Sequence, residues 1–238
     1  MKNYVFSKLS GVYMPLTNKT VFQSGTQLNT DAVSSEITLP FPFTMYEKVE
    51  TKLFISNNGF VTFGAPQTTV TTYAPISSTV TSSAFDNLIS GLGNQLKVHS
   101  LGTSEISYGL NANNDFVVQF QDVSVLNAPS VKFNFQIVLK SDGETINIVY
   151  GNCIGGEVTT RTSQVGIRGK QTPRLDANGQ PYATPETKTF VNLSLVNGNW
   201  NIFGSGGFKL GTLPAHAMST RQVFGMVMPQ SGLTFEFK

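Results

Sequence analysis

Residues 131–151 alternate between apolar and polar for longer than a helix allows. Val131, Phe133, Phe135, Ile137 and Leu139 fall on one side of an extended chain, and Lys132, Asn134, Gln136 and Lys140 on the other. Period two sustained over such a run specifies a half-buried β-strand. Ser141-Asp142-Gly143-Glu144 then supplies a turn in which Gly143 can take the positive φ of a tight hairpin. Ile146, Ile148 and Tyr150 resume the alternation on the return strand. A chain built around this hairpin is committed to antiparallel sheet, and most of the remaining sequence repeats the pattern.

Tyr4-Val5-Phe6-Ser7 opens as a strand and meets the breakers Gly11 and Pro15. A strand over residues 32–43 ends in Leu39-Pro40-Phe41-Pro42-Phe43, which reads as a Pro-broken sheet edge. Leu53-Phe54-Ile55 and Phe60-Val61-Thr62-Phe63 form a second hairpin through Ser56-Asn57-Asn58-Gly59, and Asn-Gly is the strongest short hairpin signal. Ile106-Ser107-Tyr108 pairs with Phe116–Phe120 through Asn111, Asn113 and Asn114, with Val123 and Val125 prolonging the second member. Gln164–Ile167 is a short buried strand, Phe190–Leu195 pairs with Trp200–Phe203, and Leu233, Phe235 and Phe237 close the chain. Residues 67–83 read as a surface connection, 170–188 as a Pro-rich excursion, and about 198–220 as a Gly-rich insertion, flexible to about 220. One helical turn is expected at 85–89 and no other helix. Short strands separated by turn signals predict an all-β antiparallel sandwich of jelly-roll character, in a single domain over residues 1–238.

Composition narrows the function classes. Charged residues are 13% of the chain, about half the ~25% of ordinary soluble domains, and Ser, Thr, Asn and Gly fill the polar positions. Eighteen Phe and seven Tyr interleave with β-branched residues, which excludes a disordered chain. The net charge is only +2. The densest basic stretch, Arg161, Arg168, Lys170 and Arg174, reads as a solvated strand and loop, so no nucleic-acid partner is expected. No apolar run reaches the roughly 18 residues of a membrane span, and no membrane insertion is expected. Residues 1–8 lack the apolar core of a signal peptide. Cys153 is the sole cysteine, so no intramolecular disulfide forms.

The order of segments resembles a known module. Tyr4-Val5-Phe6-Ser7, Gly11-Val12-Tyr13, Pro15-Leu16-Thr17, Leu53–Gly64, Phe85-Asp86-Asn87-Leu88 and the 131–151 hairpin are similar to a β module of secreted proteins in Bacteroidetes-type bacteria. Val165-Gly166-Ile167-Arg168-Gly169 and Pro229–Phe235 extend the match. The run Ser-Asn-Asn-Gly-Phe-Val-Thr-Phe-Gly at 56–64 also resembles nidogen-type extracellular domains. Phe85 stands where the module usually has Trp, and Asn87 where it has an acid. The resemblance implies a non-catalytic β domain of multidomain surface and adhesion proteins. A chain opening at Met1 without a leader also suits a virion protein of a phage infecting such bacteria, which assembles in the cytoplasm.

Catalytic constellations are thin. The histidines are His99 and His216, and no Gly-x-Ser-x-Gly elbow occurs. Cys153, just past a strand, reads as a small core residue rather than a nucleophile. Asp115, Asp142 and Asp176 adjoin Asn or Gly and read as turn formers, and Asp86 as a cap. Catalysis would need two or three of Asp86, His99, His216 and Cys153 to converge, so the chain is read as no enzyme. Zinc lacks its Cys and His ligands. Calcium is left open by Asp176-Ala177-Asn178-Gly179, which lacks spaced acidic partners, and no cofactor is expected.

Binding candidates are clearer. Trp200 between Asn199 and Asn201, in a Gly-flanked hairpin, is the best place for a sugar ring to stack, with Tyr73 and Tyr182 contributing from loops. A lone strand Trp is nonetheless more often core. Phe203, Phe208 and Leu210 put apolar surface into the Gly-rich segment, which an oligomer contact would hide. The expected function is surface display, adhesion or structural assembly through protein–protein contacts, extracellular, at a cell surface or on a virion. The alternative is a glycan-binding module centred on Trp200. Expected partners are other protein subunits, further copies of this chain, or a host surface protein or glycan.

Overall fold

The computed structural model describes residues 4–46, 48–64, 73, 75–76, 85, 87–155, 163–169, 191–196, 199–203, 212–213, 218–223 and 228–238. Its strands in chain order are β1 (Tyr4–Ser10), β2 (Thr20–Ser24), β3 (Ile37–Met45), β4 (Lys48–Ser56), β5 (Phe60–Thr62) and β6 (Leu88–Gly93). They continue as β7 (Leu96–Val98), β8 (Glu105–Leu110), β9 (Phe116–Val125), β10 (Ala128–Leu139), β11 (Ile146–Tyr150) and β12 (Ser163–Arg168). The last are β13 (Val191–Val196), β14 (Asn199–Phe203), β15 (Thr212–Leu213), β16 (Met218–Val223) and β17 (Leu233–Phe237). A nine-stranded sheet runs β15-β1-β17-β11-β10-β9-β8-β2, with β7 paired onto β9, and an eight-stranded sheet runs β14-β13-β16-β12-β6-β5-β4-β3. Neighbouring strands are antiparallel except β13 and β16, which pair in parallel. The two sheets pack face to face as a β-sandwich, as the alternation predicts.

The central hairpin forms as read. Phe135 pairs with Tyr150, Ile137 with Ile148 and Leu139 with Ile146, and Gly143 takes φ 79° in the turn. Asp142 accepts from the amides of Glu144 and Thr145, both at 2.9 Å, which gives it the turn-forming role expected. The inward side chains of β10 and β11 join Phe120, Val165, Ile167 and Phe235 in one core. Phe120 and Phe135 stack at 4.4 Å between ring centroids. The Tyr150 hydroxyl crosses to the other sheet and donates to the Gly91 carbonyl at 2.6 Å. Burying one large apolar side chain stabilises by about 1.5–3 kcal/mol, so this layer dominates the folding energetics.

Elsewhere the boundaries move. Of the strand expected over 32–43, the ordered part is β3 from Ile37, and Val33 makes only an isolated bridge to Ser56. Pro40 and Pro42 sit in an irregular stretch of β3, the last strand of its sheet, where a missing N–H costs no ladder bond. Of the helical turn expected at 85–89, Phe85 is in 3-10 conformation, while Leu88 and Ile89 belong to β6. A 3-10 helix that the sequence reading did not expect occupies Gly25–Asn29, closed by the Gln27 side chain accepting from the Ser24 amide at 3.0 Å. The stretch read as flexible to about 220 ends inside a strand, since Met218–Val223 pair with β12.

The Ser-Asn-Asn-Gly turn between β4 and β5 is buried rather than displayed. Asn57 and Asn58 are 1% and 0% exposed. Asn57 Oδ1 accepts from the Ala32 amide at 3.0 Å, and its Nδ2 donates to the Thr30 carbonyl. The Asn58 carbonyl accepts from Asn94, and the Gly59 carbonyl from Gly91 and Leu92. Gly59 has φ 88°, and a Cβ there would stand 2.0 Å from the Leu92 carbonyl oxygen. No other residue fits without moving a backbone. Gly59→Ala should therefore lower stability by about 3 kcal/mol or more, read as a lower urea midpoint with unchanged slope.

Candidate functional site

The outer face of the nine-stranded sheet carries the groups that the main core does not use. Val117 and Gln119 on β9, Gln136 and Val138 on β10, and Asn147 and Val149 on β11 all point away from the other sheet, by strand alternation. Yet Gln119 is 0% and Gln136 4% exposed. The reason is the segment 11–19, which leaves β1, crosses this face as an extended strap and enters β2 at the far edge. Leu16 packs with Val117, Val138 and Val149 in a small second core, with Tyr13 against it. The Tyr13 ring lies over Gly151, where a Cβ would come within 2.9 Å of the ring.

Two glutamines pin the strap. Gln119 Oε1 accepts from the Leu16 amide and from Gln136 Nε2, each at 2.9 Å. Gln136 Nε2 also donates to the Met14 carbonyl at 2.7 Å. The Gly11 amide donates to the Gly232 carbonyl at 2.7 Å, and Lys19 Nζ meets Glu105 at 2.7 Å. Gly11 and Pro15, read from sequence as breakers, thus mark the strap.

Between the strap and the strand ends lies a cleft of about 180 Å³. Val138, Val149, Asn147 and Thr234 line its sheet side, Leu9 to Val12 with Met14 one wall, and Asn111, Asn113, Asp115 and Lys140 the other. Asp115, 1% exposed, organises that second wall. Its Oδ2 accepts from Lys140 Nζ at 2.8 Å and Asn111 Nδ2 at 3.0 Å, and its Oδ1 from the Ser141 amide at 2.9 Å. Burial works to raise the Asp115 pKa, but Lys140, the Ser141 amide and Asn111 together outweigh it and hold the carboxyl below its ordinary value. The cleft therefore presents a neutralised ion pair.

Asp115 apart, none of the described residues singled out in the sequence is among those that line this cleft. Trp200, Asn199, Asn201 and Phe203 occupy β14, the terminal strand of the eight-stranded sheet. The Tyr73 hydroxyl donates to Asp31 Oδ2 at 3.1 Å. Tyr182, Phe208 and Leu210 lie outside the described residues, as do Asp86, His216 and the 176–179 loop. His99 is buried, its amide donating to Ser104 Oγ and its Nδ1 accepting from the Leu101 amide. Cys153 packs against the main core, and burial pushes its thiol up to about 11, although the Asn134 amide and Lys132 oppose the shift. A thiol so disposed is a poor nucleophile at neutral pH. Among the described residues no group of three or more His, Cys, Asp or Glu could hold a metal ion. No helix among them is long and apolar enough to cross a membrane.

The fold and this site define a two-sheet β-sandwich module with a strapped outer face. Residues 3–203, most of the chain, match the model of the NIDO-related family, and the chain belongs to that family. This agrees with the nidogen-type run at 56–64. The family is of a non-catalytic, extracellular module type. No curated protein and no solved structure matches the chain.

Two outcomes test the strap and its wall. Gln119→Ala strips the acceptor from Leu16 N and Gln136 and should cost about 2–4 kcal/mol. Hydrogen exchange should show the Leu16 amide losing protection while β6 amides keep theirs. Because the folded Asp115 pKa is lowered, its contribution is complete above the unfolded value of about 4 and lost as pH falls through the folded one. Asp115→Asn should thus be less stable at pH 7 by about 1–3 kcal/mol, with the difference from wild type narrowing in urea titrations below about pH 4.

Proposed function

We propose that this protein is a non-catalytic display and adhesion module of an outer surface, that of a bacterial cell or of a phage virion, and that it works by protein–protein contact through the strap face. The observation that carries this reading is the disposition of apolar side chains there. Leu9, Val12 and Met14 are 42, 75 and 51% exposed and gather around one cleft. Val12 and Met14 point outward while Tyr13 and Leu16 between and beyond them pack inward. Folding has no use for the outward pair, and grouped exposed apolar side chains mark contact surfaces. The family type supports an extracellular setting, and the nidogen-like motif itself is consumed internally, which leaves the strap face to meet a partner.

The partner that fits is another protein subunit, a second copy of this chain included. Light scattering across a concentration range should show a discrete oligomer or concentration-dependent growth. Val12→Asp, a change at an exposed position that leaves the fold intact, should return the chain to monomer. A wild-type monomer at every concentration overturns self-assembly and directs the search to a foreign surface protein.

A further inference from the structure

We propose that β1 is an open sheet edge that joins a second copy of this chain, strand against strand, about a two-fold axis at Leu9. The inference rests on the strap-face reading above and gives that contact a partner and a register. β17 pairs with β1 from Phe6 to Ser10, but on the other side β15 reaches only Tyr4 and Val5. Beside residues 7–10 no described strand lies there, and Lys8, Leu9 and Ser10 are exposed. Val5 exchanges both backbone bonds with Lys238, at 2.7 and 3.0 Å, and the Gly11 amide donates to the Gly232 carbonyl. Antiparallel pairing alternates, so Val5, Ser7, Leu9 and Gly11 face β17, while the amides and carbonyls of Lys8 and Ser10 face outward. An edge in that state is a template for another strand. The far edge of the same sheet is blunted, since β2 is bulged between Val21 and Gln23, whereas β1 keeps one register against β17 throughout.

The strand that fits is β1 itself. With Lys8 opposite Ser10 of the second copy, and Ser10 opposite its Lys8, every outward amide and carbonyl of both residues finds a partner in both copies. A shift that sets Lys8 against Lys8 puts like charges directly opposite, which is destabilising. A shift the other way sets Ser10 against Ser10 and Lys8 against Val12, where the chain has already left the strand as the strap. That departure also turns the second copy's chain away at Gly11, short of β15. In the favoured register Leu9 meets Leu9 at the axis. Alternation from Tyr4 and Phe6, which pack in the core, places Leu9 on the outer face. It stands there with Val12 and Met14 around the cleft, so the exposed apolar patch runs on across the joint. A two-fold contact of this kind is self-complementary and needs no second kind of surface. One short strand edge buries little area, so the dimer is a weak one.

Cysteine cross-linking and hydrogen exchange on the full chain test this. Opposed residues at the axis form a pair with Cα atoms about 4.5 Å apart, inside the disulfide range of roughly 4.4–6.8 Å. Leu9→Cys should therefore give a disulfide-linked dimer under mild oxidation. Val12→Cys, which this register holds apart from its own copy, should not, and neither should the wild-type chain with its buried Cys153. The Lys8 and Ser10 amides should gain protection as concentration rises, while the Leu9 amide is protected at every concentration. Ser10→Pro removes one outward N–H at a position where an edge strand tolerates proline. It should weaken association at least tenfold while β17 amides keep their protection. Association retained with cross-linking through Val12→Cys and not Leu9→Cys, or undiminished in Ser10→Pro, overturns the joint and leaves the strap-face reading standing. A wild-type monomer at every concentration also overturns it, and leaves the strap face to a foreign protein alone.

Discussion

A sheet whose central strands have no solvent-compatible face must be covered twice, and this condition governs the nine-stranded sheet. Its inner face is filled by Phe120, Phe135, Tyr150 and Phe235 against the second sheet. Its outer face carries Val117, Val138 and Val149, interleaved with Gln119 and Gln136. Valines there demand apolar cover, and amides demand partners once covered. One extended segment meets both needs, because its backbone offers an amide and a carbonyl to Gln119 and Gln136 while Tyr13 and Leu16 pack down. The topology follows from it. The strap carries the chain from β1 across to β2 at the opposite edge, so the sheet grows from both sides toward the 131–150 hairpin.

The same accounting explains why the nidogen-like run does not act as a display loop. Each asparagine of the 56–59 turn spends its polar atoms on a neighbouring segment: Asn57 on Thr30 and Ala32, Asn58 on Asp31 and Asn94. Gly59 lies under the Leu92 carbonyl, which ties the turn to the end of β6. Phe85, where the resembling module has Trp, packs with Phe60 at 6.1 Å in a separate small cluster. The nidogen-like residues are thus mainly ones that lock one sheet to its loops.

Local pattern made the hairpins legible, because alternation and turn chemistry act within a dozen residues. The 131–150 and 53–63 hairpins, the pairing of 106–108 with 116–125, and the closing strand all follow it. Alternation also suggested that Asn134 and Gln136 face solvent, and they are 8% and 4% exposed. Their cover comes from far along the chain: Leu16 reaches Gln119 across 103 positions, and Gln136 reaches Met14 across 122. No window of sequence contains that contact. β2, at the far edge, is equally hard to read, since it is short and bulged between Val21 and Gln23. The cleft was invisible for the same reason. Asp115 read correctly as part of a turn, but its burial depends on Lys140 arriving from the next hairpin.

The position of the cleft follows from how the strap leaves the sheet. Over β9 and β10 the backbone lies low enough for Met14 and Leu16 to bond the glutamines directly. Nearer the turns, the sheet extends beyond the strap, and the Asn111–Asp115 loop and Lys140 rise beside it. Space opens where those two covers fail to meet, and Asn147, whose buried Oδ1 has no hydrogen-bond partner among the described residues, is one of the residues that line it. A valine or threonine at 147 would suit a β-strand better than asparagine does. Retaining an amide there costs strand preference as well as an unmet hydrogen bond.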